Sequence, residues 1–493
     1  MVLLVASCTK HPQMPADYSS VNRPPHIYPE YTDVTVPLNI APLNFKVLEG
    51  SEECVARYTD ANGQQQTYGE GKKICIPLKE WRKMLEASKG KAMKVEVFAK
   101  DAQGKWQAFR PFSIKVAEDE IDPYISYRII SPSYVAYEML SINQRNLTNF
   151  DEKEIYNNMI ITSESNGQCI NCHSYQNYGT SNMQFHMRQG HGGTMIVHNG
   201  TPYKVDLKTD STISAGVYPS WHPTLPLIAY STNSTGQSFH TKHRAKIEVE
   251  DSKSDLILYD VEKNEVRHIA NDSTEFECFP NWTPDGKTLY FCSAHFEFSD
   301  SSNHETQVIE RYKDIKYDIY RKTFNPQDLS FGPRESVYSA SAKGQSATFP
   351  RVSPDGRYLL FGQGEFGCFH VWHPDADLHI IDLQTGAERK LENVNSSQAE
   401  SYHSWSSNGR WILFISRRDD GNYSRLYMAY FDRNGHAHKA FELPQKDPSF
   451  YDFYLSSYNV PEFMKEPVTI TPQVFASTAK KDPRKATFIS SKQ

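Results

Sequence analysis

Phe279-Pro280-Asn281-Trp282-Thr283-Pro284-Asp285-Gly286-Lys287, running on to Leu289-Tyr290-Phe291, reads as a strand, a tight turn and a second strand. Proline presets one backbone angle, aspartate bonds back to its own backbone, and glycine accepts the left-handed conformation that reverses the chain. The pattern recurs in Tyr218-Pro219-Ser220-Trp221-His222-Pro223 before Leu227 to Ser231, and in Phe349-Pro350-Arg351-Val352-Ser353-Pro354-Asp355-Gly356-Arg357 before Leu359-Leu360-Phe361. A further copy is Tyr402-His403-Ser404-Trp405-Ser406-Ser407-Asn408-Gly409-Arg410 before Ile412-Leu413-Phe414. Each is followed by another hairpin, built from Leu256 to Asp260, Asp318 to Tyr320, Leu378 to Asp382 and Leu426 to Tyr430. Four strands per unit, repeated, predict the blades of a β-propeller.

These units resemble the TolB-like (PD40) repeat, in which a strand meets Trp-Ser-Pro-Asp-Gly and a second strand ends in an aromatic residue. The match covers roughly residues 190–445, and its tryptophans are expected in blade cores. The first copy departs from it, with Pro223-Thr224-Leu225-Pro226 in place of Pro-Asp-Gly. The resemblance implies six blades, so flanking sequence must supply what four clear copies lack. The run from Tyr156 through Cys169 to Leu207 has blade length and is expected to form the first blade. Tyr451 to Leu455, with the start of the propeller, is expected to form the last.

Within that first blade lies Cys169-Ile170-Asn171-Cys172-His173, the attachment pattern of c-type haem. Two thiols at this spacing can reach the two vinyl groups on one porphyrin edge, and the next histidine can bind iron from below. With 8 Cys and 18 His in 493 residues, such a pentapeptide arises by chance in roughly half a percent of shuffled chains. A structural zinc site would need a second cysteine pair, and Cys54, Cys75, Cys278, Cys292 and Cys368 stand apart. A redox dithiol should open a helix after a buried strand, whereas the polar, Asn-rich flanks here read as loop, with the motif at the turn of its repeat.

For the sixth iron position the candidates lie on Met183-Gln184-Phe185-His186-Met187-Arg188, read as a strand with Met183, Phe185 and Met187 on one face. Thioether ligation by Met187, then Met183, is expected, with His186 as alternative and His191 behind it. Arg188 is a candidate to pair with a haem propionate in bidentate fashion. His370, His373, His379 and His403 read as blade-core or surface residues.

Toward the N-terminus, Val2-Leu3-Leu4-Val5-Ala6-Ser7-Cys8 resembles the end of a bacterial lipoprotein signal, which makes Cys8 the expected lipidation site. Residues 1–31 then form a signal remnant and tether. Residues 32–117, with alternating strands and turns at Asp60-Ala61-Asn62-Gly63 and Asp101-Ala102-Gln103-Gly104, are expected to form an immunoglobulin- or fibronectin-like β-sandwich. Residues 118–158 read as a connector, 159–470 as the propeller with the haem site, and 471–493 as an unstructured basic tail. An all-β chain is expected from 29 Tyr and 26 Phe, and the net charge of −6 implies no large basic surface for nucleic acid.

Taken together, these features resemble haem-bearing TolB-like lipoproteins of Bacteroidetes type. That resemblance implies an exported c-type cytochrome, lipid-anchored to the periplasm-facing cell envelope, in the outer membrane. It would transfer single electrons to a redox partner or envelope proteins that dock on the propeller. A scaffolding propeller with structural or sensory haem, or a haem-dependent small-molecule reductase or peroxidase, are the alternatives.

Overall fold

The computed structural model describes residues 11–50, 52–131, 139–161, 169–241, 245–300 and 302–490. Cys8 and most of the segment before Cys169 fall outside them. The described chain is all-β, with short helices at Leu78–Ala87, His304–Glu310 and Pro472–Ala479. No described helix is long and apolar enough to cross a membrane.

The N-terminal region holds a seven-stranded sheet and a three-stranded sheet, both feeding one apolar core. Its hairpin turns form as the sequence reads: the Asp60 carboxylate accepts the Asn62 and Gln64 N–H groups, and Asp101 does the same for Gln103 and Lys105. The helix Leu78–Ala87 buries Trp81, Met84 and Leu85, and the Trp81 indole N–H donates to the Ile40 carbonyl at 2.9 Å. Cys54 and Cys75 are free thiols, with Cys54 directed at the Gly71 carbonyl.

Beyond residue 118 the chain winds into successive antiparallel meanders. The expected connector is not one. Tyr124–Ile130, Ser141–Asn146 and Glu152–Asn157 form a meander, and Ser457–Met464 from the far end of the chain pairs with Tyr124–Ile130 to complete a four-stranded sheet. One strand of that sheet thus comes from the far end of the chain, a pairing that residues 118–158 alone do not encode. The propeller strands therefore begin before residue 159.

The expected unstructured tail is also ordered over its described residues, 471–490. Phe475, Ala476 and Ala479 of the last helix are buried, and the Lys204 ammonium donates to the Ala479 carbonyl at 2.6 Å. Arg484–Lys485 and Thr487–Phe488 then add in parallel to the outer strands Thr201–Asp206 and Glu265–Ala270. Covering two otherwise open sheet edges satisfies their backbone groups and blocks pairing with other chains.

The innermost strands touch one another in sequence: Cys169–Gln176, Val217–Trp221, Glu275–Trp282, Ser346–Val352, Glu400–Trp405, Ser457–Met464, and back to Cys169–Gln176. This cycle around a common axis is the arrangement of a β-propeller. The repeat tryptophans lie in the apolar layers between sheets, as expected: Trp221, Trp282 and Trp405 each belong to a separate buried cluster.

Candidate functional site: an axial cavity at a repeated bulge

Every innermost strand slips in register at the same place, leaving two residues out of the ladder. The pairs are Cys172-His173, Tyr218-Pro219, Phe279-Pro280, Phe349-Pro350, Tyr402-His403 and Val460-Pro461. The first residue of each is left-handed, with φ of 53°, 50°, 54°, 53°, 45° and 47° respectively. A bulge frees its second residue from donating to the ladder, so proline fits there. It also twists the strand and re-aims the first side chain.

All six first residues line one cavity of about 350 Å³ on the axis. Four of them are aromatic and pack ring against ring, with centroids 4.4 Å apart for Tyr218–Phe279, 4.0 Å for Phe279–Phe349 and 4.7 Å for Phe349–Tyr402. Part of the wall comes from Thr235, Gln237 and Val249, on the long hairpin of Leu227–Phe239 and Ile247–Asp260. A second cavity of about 380 Å³, lined by Tyr175, Trp282 and Trp405, shares Ser174, Pro219, Arg351 and Glu462 with the first.

Cys169, Cys172 and His173 all line the axial cavity. The expectation of a loop is corrected: Cys169–Gln176 is a strand, and the local turn of the motif is the bulge itself. Nor does the motif sit at the repeat's Trp-Ser-Pro-Asp-Gly turn. It occupies the preceding aromatic-proline position, Tyr175 stands where other copies carry tryptophan, and the hairpin reverses at Asn177-Tyr178.

Both thiols are free. Burial pushes the Cys172 thiol up, while the Tyr218 backbone N–H and the Arg188 and Arg128 cations pull it back. His173 is 1% exposed, and neither ring nitrogen has a hydrogen-bond partner. Burial, with Arg128 adding to it, pushes the imidazole down to about 3, although the Ser126 and Val460 backbones lie near enough to oppose the shift. His403 provides an internal comparison. At the same bulge position one of its ring nitrogens, Nε2, bonds the Phe349 carbonyl at 2.7 Å. The Nδ1 and Nε2 atoms of His173 have no such bond.

Arg188 lies opposite Cys169 in the ladder, is exposed, and lines the cavity. Sequence reasoning missed Arg128, which also lines it and donates to the Ile170 carbonyl at 3.2 Å. Its Nε is buried without a partner. Arg128 belongs to the segment read as a connector, so nothing local signalled its position. Arg351 and Glu462, an ion pair at 2.8 Å, complete the charged part of the wall.

The other expected ligands lie elsewhere. Met183, Phe185 and Met187 share a face, as the alternation predicts, but that face packs into an apolar cluster with Ile142, Met464 and Phe475. Neither methionine lines the cavity. His186 is buried against the Thr194 hydroxyl at 3.2 Å, and burial holds it neutral with its pKa near 3. His191 sits on the turn Gln189–His191, away from the cavity wall. His370, His373 and His379 bond Thr348, Glu248 and Glu388. Among the described residues no group of three or more His, Cys, Asp or Glu side chains is placed to hold a metal ion.

No family model matches the chain. Uncharacterized protein Atu1656 of Agrobacterium fabrum is 25% identical over 182 residues, which cover 34% of this chain and 59% of that protein. Among solved structures, TolB from Acinetobacter baumannii aligns over 75% of this chain and 78% of its own, at 13% identity and a TM-score of 0.42. Kuenenia stuttgartiensis hydrazine synthase aligns over 71% and 48%, at 12% identity and a TM-score of 0.46. The propeller arrangement of this chain rests on its own strand contacts.

Proposed function

We propose that this chain is a c-type haem protein of the bacterial cell envelope that transfers single electrons. Its fold is read as a β-sandwich followed by a six-bladed TolB-like propeller that serves as a docking platform for a redox partner or envelope proteins. The observation that carries the reading is the convergence of two free thiols and a buried, unpartnered imidazole on one axial cavity. A buried polar group without a partner is costly, and a metal at the ring nitrogen is one way to satisfy it.

The residues fit the group. Cys169 and Cys172 would hold haem c by thioether bonds, His173 would bind its iron, and Arg188 and Arg128 would pair with its carboxylates. Haem supplies a one-electron couple at its iron. Tyr218, Phe279, Phe349 and Tyr402 line the cavity with aromatic rings, which would keep water from that side and lower the local dielectric around a charge held there. Export follows from the lipoprotein-like start, with Cys8 as the lipid-bearing residue and the outer membrane as the anchoring surface. Attachment of haem also belongs to exported proteins, so two separate sequence features agree on the compartment.

One observation favours a second reading. Among the described residues, neither a methionine nor any histidine besides His173 lines the cavity. A sixth position without a thioether suits a haem-dependent small-molecule reductase or peroxidase.

The test is expression in a host with haem-attachment machinery. The pyridine haemochrome spectrum should be of c type and should vanish in Cys172→Ser. Absence of haem in the unaltered chain would overturn the proposal. Carbon monoxide binding to the reduced protein would select the second reading, and its failure would select electron transfer.

A further inference from the structure

Six equivalent positions face the axis, and four of them fill it with aromatic rings. The remaining two, Cys172 and Val460, are neighbours, because Cys169–Gln176 and Ser457–Met464 are in contact. We propose that Val460 is a seat-forming residue: the repeat's aromatic ring is omitted there so that the prosthetic ring bound at Cys172 has its place beside the aromatic cluster, with Arg128 as a cation for its carboxylates. This rests on the haem reading and names the residues that would decide where in the propeller the group sits.

Two independent features support it. The first is spatial. No aromatic ring stands at the two adjoining positions, and Cys169, His173 and Arg128 line the same cavity. An aromatic ring at Val460, like those at Phe279 and Phe349, would project into that space.

The second is conformational. Val460 has φ of 47°, a left-handed backbone that β-branched side chains tolerate poorly. Phe279 and Phe349 adopt φ of 54° and 53° without that branching. Backbone preference would therefore favour an unbranched residue such as phenylalanine here, yet the chain carries the strained one. Strain retained against a better local solution points to function. Arg128 adds chemistry to the same spot, since its Nε is buried, unpartnered and beside the cavity.

The test is Val460→Phe, expressed in the full chain with haem-attachment machinery. The expected protein is folded, with a far-UV spectrum and urea midpoint like those of the parent, and carries at least tenfold less covalent haem per chain. A full complement of haem with an unshifted Soret band would overturn the seat while leaving the haem reading intact. Absence of haem from the parent chain would overturn both. If Val460→Phe does not fold, Val460→Leu replaces it: a reduced haem content or a shifted Soret band supports the seat, and parental values overturn it. Arg128→Gln, with haem still attached, should shift the midpoint potential and its pH dependence. A titration curve superimposing on the parent's would remove Arg128 from the seat.

Discussion

Replacing His403 by glutamine tests whether the bulge histidines are locked in the neutral form. The His403 ring is 1% exposed, its Nε2–H donates to the Phe349 carbonyl at 2.7 Å, and its Nδ1 is buried without a partner. Protonation would place an N–H at Nδ1 with nothing to receive it, close to the Arg351 cation. Burial, followed by Arg351, accordingly lowers its pKa from 6.5 to about 3. In the unfolded chain the ring titrates near 6.5, so the stability it permits is full above that pH and is lost as pH falls toward 3. At pH 5 the unfolded ring is almost fully charged while the folded ring is not, and the linked loss is about 2 kcal/mol. Other titrating groups are common to both proteins and cancel in the difference. Urea unfolding of the parent and His403→Gln at pH 8 and pH 5 should therefore show the stability gap moving by about 2 kcal/mol in favour of the variant at pH 5. A gap that is the same at both values, within about 0.5 kcal/mol, would refute the reasoning.

Two further outcomes follow from the same structure. Met183→Leu and Met187→Leu should leave the visible spectrum and midpoint potential of the haem-loaded protein unchanged, at a stability cost below about 1.5 kcal/mol, because both side chains lie in an apolar cluster; a changed spectrum would restore the methionine ligand that the strand pattern alone suggested. A chain ending at residue 456 should fail to fold, judged by far-UV circular dichroism and protease resistance, because it lacks the strand that pairs with Tyr124–Ile130 and closes the cycle of inner strands.

The hairpin repeats, the buried tryptophans and the Asx turns were legible because each depends on residues close in sequence. Pro284-Asp285-Gly286 makes its turn wherever the chain goes, and the Asp285 carboxylate accepts the Lys287 N–H at 3.0 Å. The division of Met183 and Met187 from Arg188 was legible for the same reason, since a strand alternates its side chains. Which of those faces meets the cavity was not. The methionine face is buried against Ile142 and Phe475, from segments read as connector and tail.

The order of residues in the chain by itself determined an all-β protein with repeated hairpins and the Cys169-x-x-Cys172-His173 pattern. Those are short-range properties, set by backbone preference and side-chain period. Only the tertiary structure decided that Cys172 and His173 occupy the bulge aimed at the axis, that Arg128 joins them, and that the methionines do not. Those placements depend on the register between strands and on Ser457–Met464 returning to pair with Tyr124–Ile130. Register is fixed by packing between elements distant in sequence, and no local pattern encodes it.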